Sequence, residues 1–186
     1  MNTIKEITSQ ILLSILVVEE DKKIGRERKM KNLNKSEIFE TELKEIYWTK
    51  RVMIRLLDQM IRMSSTENLA DLLEEYQVIA HRQSRRLEDI FSLLSINPVA
   101  KICVPVKNII HDDFYEVNET KGFQRDTEFV STILKIQKYS TEKGATLCQL
   151  AETKREEKVK VLLEETQMEG ELLDLNLEYL LERRIN

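Results

Sequence analysis

The segment of residues 43–61 constrains the fold of this chain more than any other stretch. Its apolar and aromatic residues recur every three or four positions, the spacing that keeps side chains on one face of an α-helix. The stripe consists of Leu43, Tyr47, Lys50, Ile54, Leu57 and Ile61. Lys50 is the exception, because it places a cation in the middle of a face that should be buried. The interpretation of the chain therefore depends on what the other helices place opposite Lys50.

The composition is that of a helical protein with one domain. Among 186 residues there are 4 glycines and 2 prolines, while 33% are charged and 41% hydrophobic; scarce helix breakers and this mixture are typical of long amphipathic helices. The formal net charge of −4 argues against a general nucleic-acid binder. Cys103 and Cys148 match no metal or disulfide framework. They favour reduced cysteines in a cytoplasmic protein, with a disulfide or a reactive thiol as the alternative.

Residues 1–33 are predicted to be an N-terminal extension of the domain formed by residues 34–186. The apolar run of residues 11–18 is too short to span a bilayer, which takes about 20 residues. The acidic residues that follow it do not fit a signal peptide. Two interpretations remain open. The extension is either a helix that docks on a membrane surface or a protein, or a mis-called start, because residues 25–30 resemble a translated ribosome-binding site before Met30.

The first two long helices are predicted to form a hairpin. Ser36 fits the N-cap of a helix that runs to about residue 63. Ser64 and Glu67 match a capping box, so a second helix follows and runs to about residue 94. A connection of two or three residues makes the two helices antiparallel.

A long crossover is predicted to join this hairpin to a second one. The third and fourth helices are expected at about 126–152 and 156–182, and about 30 residues separate the second helix from the third. A short helix fits within this crossover, between about 100 and 117. Helices of about 28 residues are about 42 Å long, a distance that such a crossover can span. The predicted fold is therefore all-α, an up-down-down-up four-helix bundle of ferritin-like connectivity.

The predicted inner stripes share a polar level near their middle. It contains Lys50, Gln83, Gln137, Ser140 and Glu169. Either these residues form one central layer, or they are unrelated surface residues and the helix phases are wrong by about 100°.

The polar level is a poor match for a metal centre. Ferritin-like bundles can hold two metal ions there, using a glutamate from each of two helices and Glu-x-x-His from the other two. This level offers one carboxylate, Glu169, and no histidine, too few donors for two divalent cations. His81 is expected to flank the stripe and His111 to lie in the crossover, so neither is expected to be a ligand. Asp174 and Glu178 are expected to point away from Glu169.

Lys50 is instead predicted to replace the metal. Its ammonium would pair with Glu169, and Gln83, Gln137 and Ser140 would supply the remaining hydrogen bonds.

Four segments resemble the YciE/YciF-type ferritin-like family of bacterial proteins linked to stress responses. They are residues 39–50, 74–94, 101–110 and 150–166, in the family's order and spacing. The resemblance implies a ferritin-like four-helix bundle that is usually dimeric. Several members of the family look able to hold a di-metal centre.

The chain departs from the family at the positions that match this centre. Lys50 stands where a glutamate is common, and Val78 and Ile79 stand where the second helix often carries one. Gln83 matches a position that is histidine or glutamine in relatives. The family's pattern Glu-His-Tyr-Glu in the third helix corresponds here to residues 137–140, which are Gln, Lys, Tyr and Ser. Where the fourth helix of the family has an acidic pair, this chain has Glu169 followed by a glycine. The resemblance thus implies a vestigial metal-centre layer. Its members are Lys50, Ile79, Gln83, Gln137, Ser140 and Glu169.

These observations favour a metal-free protein that is not an enzyme. The sequence has no nucleophile–base pair to propose, no phosphate-binding glycine loop and no nucleotide fingerprint. We expect a cytoplasmic homodimer that acts as a structural or interaction module associated with stress. We expect it to use no cofactor and to bind neither nucleic acid nor a membrane. The alternative is a di-iron or di-manganese protein or oxidase with a weak residual site at Glu169, helped by Glu165. In a third reading, residues 1–29 dock the bundle on a partner.

Overall fold

The computed structural model of the chain describes residues 35–114, 120–154 and 156–185, the segment 180–185 for its backbone alone. Two units are distinguished, Met1–Ile38 and Phe39–Asn186. The mis-called start and the docking helix predicted for residues 1–33 lie outside the described residues, as does the boundary at residue 34.

Helices account for nearly all of the described residues. The four long ones are α1 (Lys35–Met63), α2 (Glu67–Leu93), α4 (Gly122–Thr153) and α5 (Glu157–Ile185). Between α2 and α4 lie α3 (Val104–Ile109) and a π-helical turn (Ile110–Phe114). The all-α prediction is confirmed, and the predicted short helix of the crossover is observed as α3 with its π-helical turn.

Contacts between the long helices fix their directions. Tyr47 of α1 donates to Glu88 of α2 at 2.7 Å, and Gln77 of α2 donates to the Ile54 carbonyl of α1 at 3.3 Å, so α1 and α2 are antiparallel. Lys50 of α1 contacts Gln137 of α4, while Glu42 contacts Lys143.

Helices α4 and α5 also run in opposite directions. Gln167 of α5 donates to the Thr141 carbonyl at 3.0 Å, and Gly170 lies against Gln137. The result is the predicted up-down-down-up four-helix bundle of ferritin-like connectivity.

Two predicted helix starts are wrong by a few residues. Thr66, not Ser64, caps α2, since its hydroxyl accepts from the Leu69 amide at 3.4 Å. Ser64 instead donates to the Met60 carbonyl at 2.8 Å and completes the last turn of α1. Ser36, predicted as the N-cap of the first helix, lies within α1.

Helix α4 begins four residues earlier than the prediction of about 126. Its first turn contacts the connection between α1 and α2, where the Ser65 amide donates to Asp126 at 3.0 Å and Arg125 donates to the Met63 carbonyl. These contacts satisfy polar groups that the end of α1 leaves free and hold the two hairpins together at one end of the bundle.

The core consists of two apolar clusters, one in each half of the bundle. The larger cluster packs the crossover against the C-terminal half of α1, and it includes Leu57, Leu73, Phe114 and Phe129. The smaller cluster includes Phe39, Phe91, Leu147 and Leu163. The predicted polar level lies between them.

Candidate functional site

Lys50 lies in the interior of the bundle, with only 4% of its surface exposed. Its Nζ donates to Gln137 Oε1 at 3.3 Å, and the Tyr76 hydroxyl donates to the same oxygen at 2.9 Å. Burial lowers the pKa of Lys50 from 10.5 to about 8, although the charges of Asp174 and Glu169 oppose this effect. The centre of the bundle is therefore a hydrogen-bonded cluster of an amine, an amide and a phenol.

Gly170 provides the space that the Gln137 amide occupies. A Cβ atom at position 170 would lie 2.0 Å from Gln137 Nε2, which is far inside van der Waals contact. Gln137 can reach between Lys50 and Tyr76 because residue 170 has no side chain. The glycine that follows Glu169 is thus part of the central cluster.

Glu169 binds arginines of α2 instead of Lys50. Arg86 donates through Nη1 and Nη2 to the two oxygens of Glu169, at 2.9 and 3.0 Å. Arg82 adds a contact at 2.8 Å. Partial burial alone would raise the pKa of Glu169, but the hydrogen bonds and charge of Arg86, with the charge of Arg82, lower it overall. The predicted Lys50–Glu169 pair is wrong, because Glu169 lies on the flank of α5 that faces α2.

Gln83 and Ser140 also differ from their predicted role. Both are buried as predicted, but Gln83 donates to the Thr166 carbonyl at 3.1 Å and so joins α2 to α5. The Ser140 hydroxyl has no hydrogen-bonding partner among the described residues. Ile79 packs, partly buried, against the larger apolar cluster. Within the predicted layer as the structure describes it, Gln137 is the residue that forms a hydrogen bond with Lys50.

Asp174 is a carboxylate of the site that the sequence pattern did not indicate. It is half-buried, and its Oδ1 is enclosed without a hydrogen-bonding partner in the described structure. Burial raises the pKa of Asp174 from 3.8 to about 7; the Lys50 charge opposes this rise, while Glu178 and Glu171 add to it. Gly170 is the residue that could have indicated which face of α5 points inward. It lies on the inner stripe with Thr166, Leu173 and Leu177, and Asp174 flanks that stripe.

Arg86 is the second residue that sequence reasoning missed. Its side chain is 12% exposed, and it donates to Thr166 Oγ1 at 3.1 Å in addition to its two bonds with Glu169. An arginine one turn after Gln83 could have been recognised as the partner of an acidic residue on the neighbouring helix.

The donor set does not fit the di-metal centre that the ferritin-like fold implies. The interior contains the Lys50 amine, and arginines bind both carboxylate oxygens of Glu169. The cavity beside Lys50 and Gln137 has a volume of about 20 Å³, room for about one water molecule. Within the described ranges, no group of three or more His, Cys, Asp or Glu residues is arranged to hold a metal ion.

The histidines and cysteines lie outside the central cluster. His81 and His111 are exposed, as predicted, and His111 contacts the neighbouring Asp112. Cys103 is buried, Cys148 is half-buried, and both are free thiols. Among the helices that the structure describes, none has the length and apolar composition needed to cross a membrane.

Comparison with solved structures supports the same fold. The Escherichia coli stress protein YciF has a TM-score of 0.76 and 24% identity, over 82% of this chain and 98% of that one. YcfI from Rhodopseudomonas palustris has a TM-score of 0.74 and 18% identity, over 78% of this chain and 94% of that one. A DUF305 fragment from Deinococcus radiodurans has a TM-score of 0.67 and 11% identity, over 78% and 96%.

The sequence itself matches a family model. No curated protein matches the chain at a significant level. The model of a domain of unknown function, DUF892, matches residues 34–186, which include every described helix. The chain therefore belongs to the DUF892 family, the family of the YciF-type ferritin-like bundles.

Proposed function

We propose that this protein is a metal-free, non-enzymatic ferritin-like bundle that acts as a structural or interaction module associated with stress. The observation that carries the proposal is the position of the Lys50 amine. It lies in the bundle interior, hydrogen-bonded to Gln137, at the level where related bundles place metal ligands. The central polar groups serve to connect helices, since the network joins α1 to α2 and α4.

Electrostatics support the absence of a metal. A divalent ion beside Lys50 would meet a cation in a medium of low dielectric, where like charges repel strongly. Glu169 could become a ligand only by giving up hydrogen bonds to Arg86, and charge-assisted bonds of this kind are the stronger class. Metal binding would therefore have to break an existing interaction between helices.

The setting of the module is part of the proposal. Two free cysteines are compatible with a cytoplasmic location. The likeness to the E. coli stress protein YciF and to YcfI, a proposed structural protein, suggests a stress-associated structural role. We propose that the module works as a homodimer.

Elemental analysis tests the proposal. The purified chain is incubated with excess Fe²⁺ under anaerobic conditions, or with Mn²⁺, then desalted and analysed. We expect substoichiometric metal and an unchanged thermal unfolding midpoint, because only a ligand that binds the native state raises that midpoint.

Glu169→Gln is the matched control for the alternative, a residual di-iron or di-manganese site. The proposal would be overturned if the unsubstituted protein bound one or two metal ions per chain with a raised unfolding midpoint, and if Glu169→Gln lost this metal.

A further inference from the structure

A groove of about 320 Å³ lies between α1 and the crossover. This volume is at the lower end of the range for small-molecule pockets, about 300–1,000 Å³. Helix α1 forms one wall, from Trp48 to Gln59, and the crossover forms the other, from Lys107 to His111. The lining residues are all different from those of the central cluster, so the groove is a separate feature of the bundle.

The floor of the groove is apolar and includes an aromatic surface. Val52, Leu56 and Ile110 are buried members of the larger apolar cluster, which holds them in place. Trp48 packs against the same cluster and stays partly exposed where it lines the groove. Its indole therefore offers a flat surface on which another flat apolar group can stack.

Two permanent cations are among the described residues that line the groove, one on each wall. They are Arg55 of α1 and Lys107 of α3, and both are exposed. None of the described lining residues is acidic. Within the described part of the chain, neither cation forms an ion pair. Both charges are therefore available to a ligand.

The carboxylates that are nearest in sequence to these cations have other partners. Asp58, one turn after Arg55, binds Arg62 at 2.6 Å. On the other wall, the two aspartates that follow His111 contact that histidine at 3.1 Å and a lysine of α4 at 2.9 Å. Even if the carboxylate beside His111 is counted, the two cations leave the groove with an excess of positive charge.

We propose that this groove binds a small organic anion with a flat apolar body, of which an aromatic carboxylate is the simplest kind. The body lies on Trp48 and the aliphatic floor, and the anionic group lies between Arg55 and Lys107. A guanidinium binds a carboxylate through a planar fork of donors, and an ammonium adds a point charge. A neutral aromatic molecule or inorganic phosphate could use only one of these two features.

This inference goes beyond the proposed function, because it gives the module a small-molecule ligand. It depends on the groove between α1 and the crossover, whereas the metal-free proposal depends on the interior around Lys50 and Glu169. Ligand binding and metal content can therefore fail separately.

Trp48 provides a direct readout of binding. It is the only tryptophan of the chain, so its indole N–H gives a single identifiable cross-peak in nitrogen–proton correlation spectra. The protein is titrated with 2-naphthoate to about 5 mM. We expect this cross-peak to move with a dissociation constant of about 0.1–1 mM, a usual affinity for a ligand of this size.

Three further probes separate the features of the ligand. The neutral 2-naphthylmethanol has the flat body without the charge, octanoate has the charge without the flat body, and inorganic phosphate has charge alone. Each should bind at least about fivefold more weakly than 2-naphthoate, since each lacks one of the two contacts.

Substitution of the two cations tests their role. Arg55→Gln combined with Lys107→Gln should weaken 2-naphthoate at least about fivefold and leave 2-naphthylmethanol unchanged. The matched control is Arg85→Gln combined with Lys158→Gln, which removes the same charges from exposed positions of α2 and α5 and should bind 2-naphthoate normally. Circular dichroism confirms that both double variants fold.

The outcomes that would overturn the proposal are distinct. They are an indole cross-peak that does not move with 2-naphthoate, equal affinity for 2-naphthoate and 2-naphthylmethanol, and unchanged affinity in the variant that lacks both groove cations. Octanoate or phosphate binding as tightly as 2-naphthoate would overturn the assignment of a flat apolar body.

Discussion

Gln137 is the residue through which three helices interact at the centre of the bundle. Its Oε1 accepts hydrogen bonds from Lys50 of α1 and Tyr76 of α2, and its Nε2 lies against Gly170 of α5. A buried amide with two donors on one oxygen is sensitive to small displacements, because an unsatisfied buried polar group costs about 1–3 kcal/mol. The side chains around Gln137 should therefore be strongly coupled.

Gly170→Ala should reveal this coupling. The added Cβ displaces the Gln137 amide, so we expect a loss of about 1–2 kcal/mol even though alanine favours a helix over glycine. In a Gln137→Ala background the clash is absent, and Gly170→Ala should be neutral or stabilise by up to about 1 kcal/mol. Urea unfolding of the four proteins measures the cycle. Equal effects of Gly170→Ala in the two backgrounds would contradict the coupling.

Lys50 should give the stability a pH dependence in the alkaline range. Its pKa is about 8 in the folded protein and 10.5 ordinarily. Between these values the unfolded chain binds more protons at this position, so the free energy of unfolding should rise with pH. Relative to Lys50→Met, the unsubstituted protein should gain stability from about pH 8 to about pH 10. Urea titrations at several pH values compare the two slopes, and parallel slopes would show that Lys50 is not desolvated.

Helix α5 has two apolar faces, and this explains why its site residues were the hardest to predict. The inner face carries Thr166, Gly170, Leu173 and Leu177, whereas the outer face carries exposed apolar residues between Val161 and Tyr179. A helix that is apolar on two faces has no clear phase, so the sequence pattern placed Glu169 inside. Helix α4 has one apolar face, and the residues that recur along it every three or four positions are buried. These are Val130, Ile133, Gln137, Ser140, Gly144, Leu147 and Ala151.

Helix ends were predictable to within a few residues where they depend on a local contact. The Ser64 hydroxyl bonds back to Met60, which leaves the capping of α2 to Thr66. The early start of α4 depends on Asp126 and Arg125 contacting the end of α1, a contact between distant parts of the chain. The partners of Lys50 and Glu169 likewise depend on the rotation of neighbouring helices, which a single sequence does not determine.

The junction between α2 and α5 should depend on Arg86 more than on Arg82. The side chain of Arg86 is 12% exposed and that of Arg82 is 55% exposed, although both contact Glu169. We expect Arg86→Met to lose about 1–3 kcal/mol, since it leaves a partly buried carboxylate without its two charge-assisted bonds. Arg82→Met, the matched control, should lose less than about 1 kcal/mol. Chemical denaturation measures both, and similar losses would refute this distinction.

At the scale of the whole molecule, the polar level divides the core into two apolar clusters. Buried polar and charged groups of this kind often contribute little net stability, because their desolvation offsets their attraction. The two clusters, with the two short hairpin connections, should suffice to specify the bundle. This is consistent with a fold that could be predicted from apolar spacing, while the pairing inside the polar level could not.

Replacing the whole cluster should therefore be better tolerated than replacing one member. We expect Gln137→Met alone to lose about 1–3 kcal/mol, because Lys50 and Tyr76 lose their common acceptor. The triple variant Lys50→Met, Tyr76→Phe, Gln137→Met should be at least as stable as the unsubstituted protein. Its free energy of unfolding should be unchanged or higher by up to about 4 kcal/mol. Thermal and urea unfolding measure both variants. A triple variant weaker than the single one would mean that the cluster is a net source of stability.

The missing side chain at position 170 limits which single substitutions the interior can accept. The Cβ atom of any residue larger than glycine meets the Gln137 amide, so an acidic residue at position 170 would displace that amide from its present place beside Lys50 and Tyr76. Replacing Gln137 with a side chain that has no acceptor oxygen would leave Lys50 and Tyr76 without their common acceptor. An acidic residue at position 170 is therefore best accommodated when position 137 changes as well, and we expect the substitution at 170 on its own to give a less stable protein.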